Sequence, residues 1–437
     1  MKRDDISTAK YPADQSVLVQ IEKPIYGGSF LARLEGKAVF VPLTLPGEQA
    51  RVRIVEEKKS YASAEPEAIV IAASNRVEPG CRHFGVCGGC QYQHADYETQ
   101  LAFKHAILRE TLERGGAQAP EKIEILAGDP WNYRNRIRLA VDAAGRVGYR
   151  ERRSHATVPI SECPIAAPTL VAAAFSAAEV LRALNPKLNP TEISLFCNAN
   201  ETELLATLFV QHRSRRSIDR FAEELKDRVP ALTGVQLIAF DRSGHAAEII
   251  AEWGSRSLTY RVGGIDYQVG NGAFFQVNRW LLDKFADRVT AGRSGAIAWD
   301  LFAGVGLFAR RLADGFKEVI AVESAPASTQ ALAANLERGP GKGVEADVAA
   351  FLKSKNARSK PDLIVVDPPR TGLGSEVTSL LANVGARTIV YVSCDPATLA
   401  RDLRVMITAG YAVSSITLAD LFPQTFHLET VVELQRS

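Results

Sequence analysis

The run Leu363-Ile-Val-Val366, followed by Asp367-Pro-Pro-Arg370, constrains the fold of this 437-residue chain more than any other feature. An unbroken apolar strand of that kind is buried on both faces, as in a parallel sheet. Two prolines forbid its continuation, so Asp367 is pinned at a carboxyl strand end. Other strands of the same half end on chemistry-bearing residues. Ala296-Ile-Ala-Trp-Asp300-Leu-Phe302 breaks into the turn Ala303-Gly304-Val-Gly306, and Glu318-Val-Ile-Ala-Val-Glu323 ends in an acid 17 residues after Gly306. Thr388-Ile-Val-Tyr-Val-Ser-Cys394 brings a thiol to the helical pattern that opens at Asp395-Pro396. Strand and helix alternate through residues 263–437, which predicts a doubly wound α/β domain with its ligands at the carboxyl ends of the strands.

The glycine turn satisfies G-x-G-x-x-A, and an acid at Glu323 suits the two hydroxyls of an adenosine ribose. NAD and S-adenosylmethionine fit that motif equally. Asp300 favours the second, because an acid there repels a pyrophosphate and attracts a sulfonium. Cys394 precedes a helix N-terminus, where partial positive charge favours thiolate. It reads as a nucleophile, although taken alone a packed core cysteine is the commoner case. In the C-terminal strand Leu428-Glu-Thr-Val-Val-Glu-Leu, Glu429 and Glu433 are indistinguishable by pattern.

Cys81, Cys87 and Cys90 lie in Cys-Arg-His-Phe-Gly-Val-Cys-Gly-Gly-Cys, and Cys163 in Ser161-Glu-Cys-Pro-Ile. C-x5-C-x2-C with a remote fourth cysteine is a four-thiolate metal pattern, and its glycines let backbone wrap tightly around sulfur. Spacing leaves zinc and an iron–sulfur cluster both open. Cys197, in an apolar run, is expected in the core.

Together, Asp367-Pro-Pro-Arg370, Ser393-Cys394-Asp395-Pro396 and Phe426-His-Leu-Glu429-Thr-Val resemble the RNA 5-methyluridine (uracil-C5) methyltransferase family, along nearly the whole chain. The resemblance implies Cys394 as nucleophile and Glu429 as general base. It implies Gln276, Phe302, Gly304, Glu323, Asp347 and Asp367 as donor-binding positions for S-adenosylmethionine. One branch of the family holds a [4Fe-4S] cluster on cysteines matching Cys81, Cys87, Cys90 and Cys163, so a cluster is expected here. Leu307 stands where many relatives are polar. A transfer-RNA T-loop and 23S ribosomal RNA are both substrates within the family, and the ribosomal target is expected. A Rossmann oxidoreductase and a catalytically silent RNA binder are the rival readings. The first leaves Cys394 and the paired prolines without a role.

Net charge is only +2, from 52 basic and 50 acidic residues, so global charge does not announce nucleic acid. Its distribution does more. Residues 134–153 hold seven arginines interleaved with aromatics. Of these, Arg134, Arg136, Arg138, Arg150, Arg152 and Arg153 are candidate RNA contacts, since guanidinium forks grip phosphate and aromatic faces stack bases. A second cluster spans His212 to Arg220. Three regions are expected. Residues 12–72 show strand alternation with turn signals, predicting a small β-barrel that resembles the TRAM domain. Residues 73–262 form a central α+β region with the metal site and arginines, and residues 263–437 the catalytic domain. A helix over 97–114 is expected to pack on the catalytic domain. No stretch resembles a membrane span, and a cytoplasmic monomer is expected.

Overall fold

The computed structural model describes residues 16–436, apart from 118–119, 185–187, 212–216, 241–245 and 338. Much of the second arginine cluster therefore lies outside the described residues. The first strands, β1 (Ser16–Pro24), β2 (Ser29–Leu34), β3 (Lys37–Pro42), β4 (Gln49–Glu57) and β5 (Tyr61–Ile71), close into a barrel of order β1-β2-β3-β5-β4. Alternation drives it: Val19, Ile21, Phe30, Ala32, Val39, Val41, Val52 and Ile54 all point inward and are buried. Closure leaves no open edge on so small a sheet.

Helix α1 (Tyr97–Arg114) starts at an Asp96 cap that accepts the Thr99 amide. Its Phe103 enters the barrel core, whereas Ile107, Leu108 and Leu112 join the core of the C-terminal domain. One helix thus bridges two hydrophobic clusters. The short strand β6 (Glu124–Leu126) follows.

The central sheet runs β13-β12-β11-β10-β7-β8-β9. It comprises β7 (Arg136–Val141), β8 (Val147–Arg150), β9 (Thr157–Pro159), β10 (Glu192–Cys197), β11 (Leu204–Val210), β12 (Leu232–Phe240) and β13 (Ala246–Gly254). Helices α2 (Pro168–Ala183) and α3 (Asp219–Arg228) cover one face through Leu170, Ala177, Phe221 and Leu225. Cys197 is fully buried in this core. Next come β14 (Ser257–Val262) and β15 (Ile265–Gly270), an antiparallel hairpin. Its turn is Gly263-Gly264, both at positive φ (55° and 81°), as a two-residue hairpin loop requires. The expected boundary between residues 262 and 263 falls at this turn.

After α4 (Leu282–Thr290) the chain winds the large sheet. In order come β16 (Gly295–Leu301), α5 (Leu307–Leu312), β17 (Phe316–Glu323), α6 (Pro326–Leu336), β18 (Gly341–Glu345), α7 (Val348–Lys353), β19 (Leu363–Val366), α8 (Gly374–Val384), β20 (Thr388–Ser393) and α9 (Pro396–Thr408). The antiparallel pair β21 (Tyr411–Ala419) and β22 (Glu429–Arg436) ends the fold. Sheet order is β18-β17-β16-β19-β20-β22-β21-β6. Strand β6, which precedes the central sheet, pairs with β21 and makes one edge. Separate apolar clusters fill the two faces, with Phe285, Phe308 and Leu332 on one side and Phe351, Leu381, Leu399 and Met406 on the other. This is the α/β doubly wound architecture expected from the strand–helix alternation. Winding reverses between β16 and β19, and ligands bind at such a switch point, beyond the carboxyl strand ends.

Candidate active site

At the switch point the residues Phe274, Gln276, Phe302, Gly304, Leu307 and Asp367 line a small cleft. Phe302 adopts φ +64°, a left-handed conformation that is a genuine outlier for a bulky residue and typical of strain held at functional sites. The Gln276 side-chain amide donates to Asp367 Oδ2 at 3.3 Å, and burial pushes that carboxyl up to about 7, with the amide opposing. Glu323 Oε2 accepts the Gly304 amide at 2.8 Å, so the end of β17 holds the glycine turn. Its other oxygen accepts the Ser324 and Ala325 amides, both at 2.7 Å. Asp347, one strand further out, caps α7 by accepting from Ala349 and Ala350.

Asp300 departs from expectation. It is fully buried and faces under the turn, where one oxygen accepts the Ala309 amide at 2.8 Å and the other has no partner. Burial pushes its carboxyl up to about 8. It braces α5 and offers the cleft no negative charge at neutral pH.

Cys394 lies directly after β20, and Asp395 caps α9 by accepting the Ala397 and Thr398 amides. Strand β22 runs antiparallel to β20 with Ser393 opposite Thr430. One more step along that register sets Cys394 across from Glu429. Glu429 is 4% exposed; burial, then the nearby Asp367, holds its carboxyl well above the usual range, against Arg370. The expected low thiol pKa is not found. Burial, then Glu429 and Asp367, pushes Cys394 up to about 12. Asp395 occupies the helix amides that would have favoured the anion, and two carboxylates face the sulfur. Nearby, Arg370 Nη2 lies 3.2 Å from His427 Nδ1, and burial, then Arg370, lowers His427 to about 4.

The loop between β21 and β22, which leads into Glu429, is gripped from outside the sheet. Gln424 sits at φ +68° and is 2% exposed. Its carbonyl accepts the Gln91 and Tyr92 amides (2.9 and 3.0 Å). Gln100 on α1 bonds both its side chain and its amide (2.9 and 3.0 Å). Lys104 donates to Asp420 at 2.6 Å and Phe422 O at 2.9 Å, and Tyr133 Oη to Pro423 O at 3.1 Å. The periodicity of α1 showed only an apolar stripe, so this polar clamp was not legible in the sequence.

Cys81, Cys87, Cys90 and Cys163 are half-buried thiols. Burial raises Cys81, Cys87 and Cys90, and a charge on Cys163 adds to each, so the four sulfurs share one neighbourhood. The Gly89 amide donates to Cys87 Sγ at 3.4 Å, and Tyr149 Oη lies 3.6 Å from Cys163 Sγ.

The six candidate RNA arginines divide. Arg136 is turned inward, its guanidinium 4.1 Å from the centre of the Phe196 ring and donating to Ala273 O at 2.6 Å. Arg134 is likewise enclosed, its Nε unpartnered. Arg152 makes a bidentate pair with Glu65 (2.6 and 3.0 Å) that Arg153 shares, tying the barrel to the central region. Arg138, paired with Glu192, and Arg150, bonded to His155 O, keep half their side chains exposed. Arg134, just before β7, and Arg136, its first residue, thus meet the segment that follows β15, where RNA contact was expected.

A switch-point crevice on a seven-plus-one sheet with an antiparallel C-terminal pair is the fold of an S-adenosylmethionine-dependent methyltransferase. Residues 352–437 match the family described as tRNA (Uracil-5-)-methyltransferase, and residues 15–66 match the TRAM domain. The 23S rRNA (uracil(1939)-C(5))-methyltransferase RlmD of Halomonas elongata is 32% identical over 426 residues, covering 94% of this chain and 87% of that protein. Its namesake from Shewanella frigidimarina is 33% identical over 428 residues, covering 93% and 92%. A solved structure, the tRNA (uracil-54, C5)-methyltransferase of Pyrococcus abyssi in complex with S-adenosyl-L-homocysteine, shares the fold. Its TM-score is 0.77 at 24% identity, covering 96% of this chain and 100% of that one. The chain belongs to the RNA uracil-C5 methyltransferase family, in its TRAM-bearing form. It is an S-adenosylmethionine-dependent enzyme of that class, and the nicotinamide alternative falls. No described helix is long and apolar enough to cross a membrane.

Proposed function

We propose that this enzyme methylates carbon 5 of a uridine in 23S ribosomal RNA through a covalent adduct on Cys394. The observation that carries the reading is the pairing of Ser393 with Thr430, from which Cys394 and Glu429 each lie one residue away, close enough for the Glu429 charge to act on the thiol. Carbon 5 of uracil is a poor nucleophile. Addition of the Cys394 thiolate to carbon 6 gives an enolate with its electron density on carbon 5. That carbon takes the methyl group and the donor leaves as the neutral thioether. Glu429 then removes the carbon-5 proton, and the electron pair expels the thiolate and restores the ring. A desolvated carboxylate has the basicity for this step. Before it adds, Cys394 releases its proton to solvent, a step that burial of the thiol opposes.

In the same reading Gln276, Phe302, Gly304, Glu323, Asp347 and Asp367 hold the donor. Gln276 and Asp367 line the cleft; Glu323, at the end of β17, and Asp347, in the turn after β18, are suited to the ribose and its neighbour. Arg138 and Arg150 have the exposure to meet RNA phosphate, and Arg134, Arg136, Arg152 and Arg153 act by holding the domains that bind it.

Cys81, Cys87, Cys90 and Cys163 are the residues to hold a [4Fe-4S] cluster. Their donor set fits: four thiolates are the usual ligands of such a cluster, and the Gly89 amide donates to Cys87 Sγ at 3.4 Å, as amides around cluster sulfurs do. A bound cluster supplies a cross-link between segment 81–90 and Cys163. Ribosomal rather than transfer RNA is supported by the names of the relatives from Halomonas elongata and Shewanella frigidimarina, which match 94% and 93% of this chain. Labelled S-adenosylmethionine, given with unmodified 23S ribosomal RNA and separately with transfer RNA, tests the target after digestion to nucleosides. Label in 5-methyluridine from ribosomal RNA alone is expected; label from transfer RNA alone overturns the choice.

A further inference from the structure

We propose that Tyr26, in the barrel's β1–β2 turn, is a positioning residue for methyl transfer, so that the barrel completes the catalytic site as well as serving RNA binding. The inference rests on the reading of Cys394 and Glu429 given above. Tyr26 packs against the apolar cluster of the catalytic domain and not in the barrel's own core. Its hydroxyl lies 3.5 Å from the Cys394 carbonyl oxygen, across 368 residues of sequence. Its ring meets Phe426 edge-on, with centroids 5.6 Å apart and planes at 82°. Phe426 makes the reciprocal move: it comes from the loop that leads into Glu429, yet it packs against the barrel core. The two rings interlock at the site, one touching the turn of the nucleophile and the other the approach to the base.

The turn is shaped for this approach. Gly27 and Gly28 both have positive φ (103° and 86°). A Cβ on Gly28 would meet Gln91 Cγ at 2.7 Å and the Phe426 ring at 3.4 Å. Only a glycine lets the barrel backbone come so close. Gln91 in turn donates its amide to Gln424 O and accepts from the Phe426 amide at 3.4 Å. The barrel, the Cys81–Cys90 segment and the β21–β22 loop therefore meet at one point beside Cys394. The polar contact of Tyr26 is long and its ring contact close, so the ring carries the effect. Misplacing a reacting group by a small distance can lower a rate by about 100-fold, which makes a packing residue here kinetically visible.

The test compares Tyr26→Ala, Tyr26→Leu and Tyr26→Phe in the full chain, measuring kcat, KM for RNA and donor binding. A second readout is the rate of covalent trapping on RNA carrying 5-fluorouridine, whose carbon-5 fluorine blocks release. Tyr26→Ala is expected to lower kcat and the trapping rate by at least about tenfold, with KM and donor affinity within about threefold. Tyr26→Phe is expected to recover most of the lost rate. If Tyr26→Ala fails to bind donor, Tyr26→Leu decides by the same criteria. Wild-type kcat and trapping in the deciding variant, or a loss confined to KM, overturns the inference. A parallel Cys394→Ala control separates the two claims. Activity in that control sinks the nucleophile assignment, whereas an inactive control beside a fully active Tyr26 variant sinks this inference alone.

Discussion

Cys394 sits among groups that keep it protonated, and that fixes how the enzyme must respond to pH. Burial and two neighbouring carboxyls push the thiol up to about 12, while Glu429 is held above its usual range. Thiolate and carboxylate are both the active forms, so both gain population as pH rises. Single-turnover methyl transfer at saturating RNA is therefore expected to climb steadily from pH 6 to 9. A rate that falls above pH 7 contradicts this assignment. Asp300 gives the opposite slope for stability. Its folded pKa of about 8 lies far above that of an exposed acid, so the folded state keeps a proton that the unfolded state releases. Its stabilisation is complete below pH 4 and is lost as pH rises towards 8. Asp300→Asn should leave the melting temperature unchanged near pH 4 and raise it relative to wild type at pH 8, read by calorimetry. Cys394 and Asp367 stood out as candidates because each follows an apolar strand within a motif, whereas only the family resemblance separated Glu429 from Glu433. Tyr26 and Gln424 did not stand out: their partners lie hundreds of residues away, and only the packed fold brings them together.

At the scale of elements, α1 decides how the loop before Glu429 is held. Lys104 and Asp420 are both without solvent exposure, and Tyr97 Oη donates to the second Asp420 oxygen at 2.9 Å. Removing one partner of such a pair leaves a buried charge and costs about 3–5 kcal/mol, whereas replacing both is far milder. Lys104→Met should therefore lower stability by about that amount in denaturant unfolding, and Lys104→Met with Asp420→Leu should regain most of it. A double variant no better than the single one would show that the pair is not the element that joins α1 to the sheet. The helix itself followed from its periodicity and the Gly115-Gly116 stop. Its partners did not, because Gln100 and Lys104 look like ordinary polar positions until the sheet is placed beside them.

On the scale of the whole molecule, the chain encloses its chemistry between three bodies. The doubly wound sheet supplies the crevice, β22 brings Glu429 back beside Cys394, and the barrel and Cys81–Cys90 segment close over the loop between them. Local alternation and strand-end motifs revealed the sheet and the barrel. The interlock came only from tertiary structure, as did the inward turn of Arg134 and Arg136. The most direct test of the covalent mechanism uses the Glu429→Gln variant with S-adenosylmethionine and a 23S ribosomal RNA fragment. The denatured complex is digested and the peptide that carries nucleotide is identified by mass. The account predicts a methylated uridine attached through Cys394, accumulating because its carbon-5 proton cannot be removed. Normal turnover by this variant, or an adduct on any other residue, would contradict it.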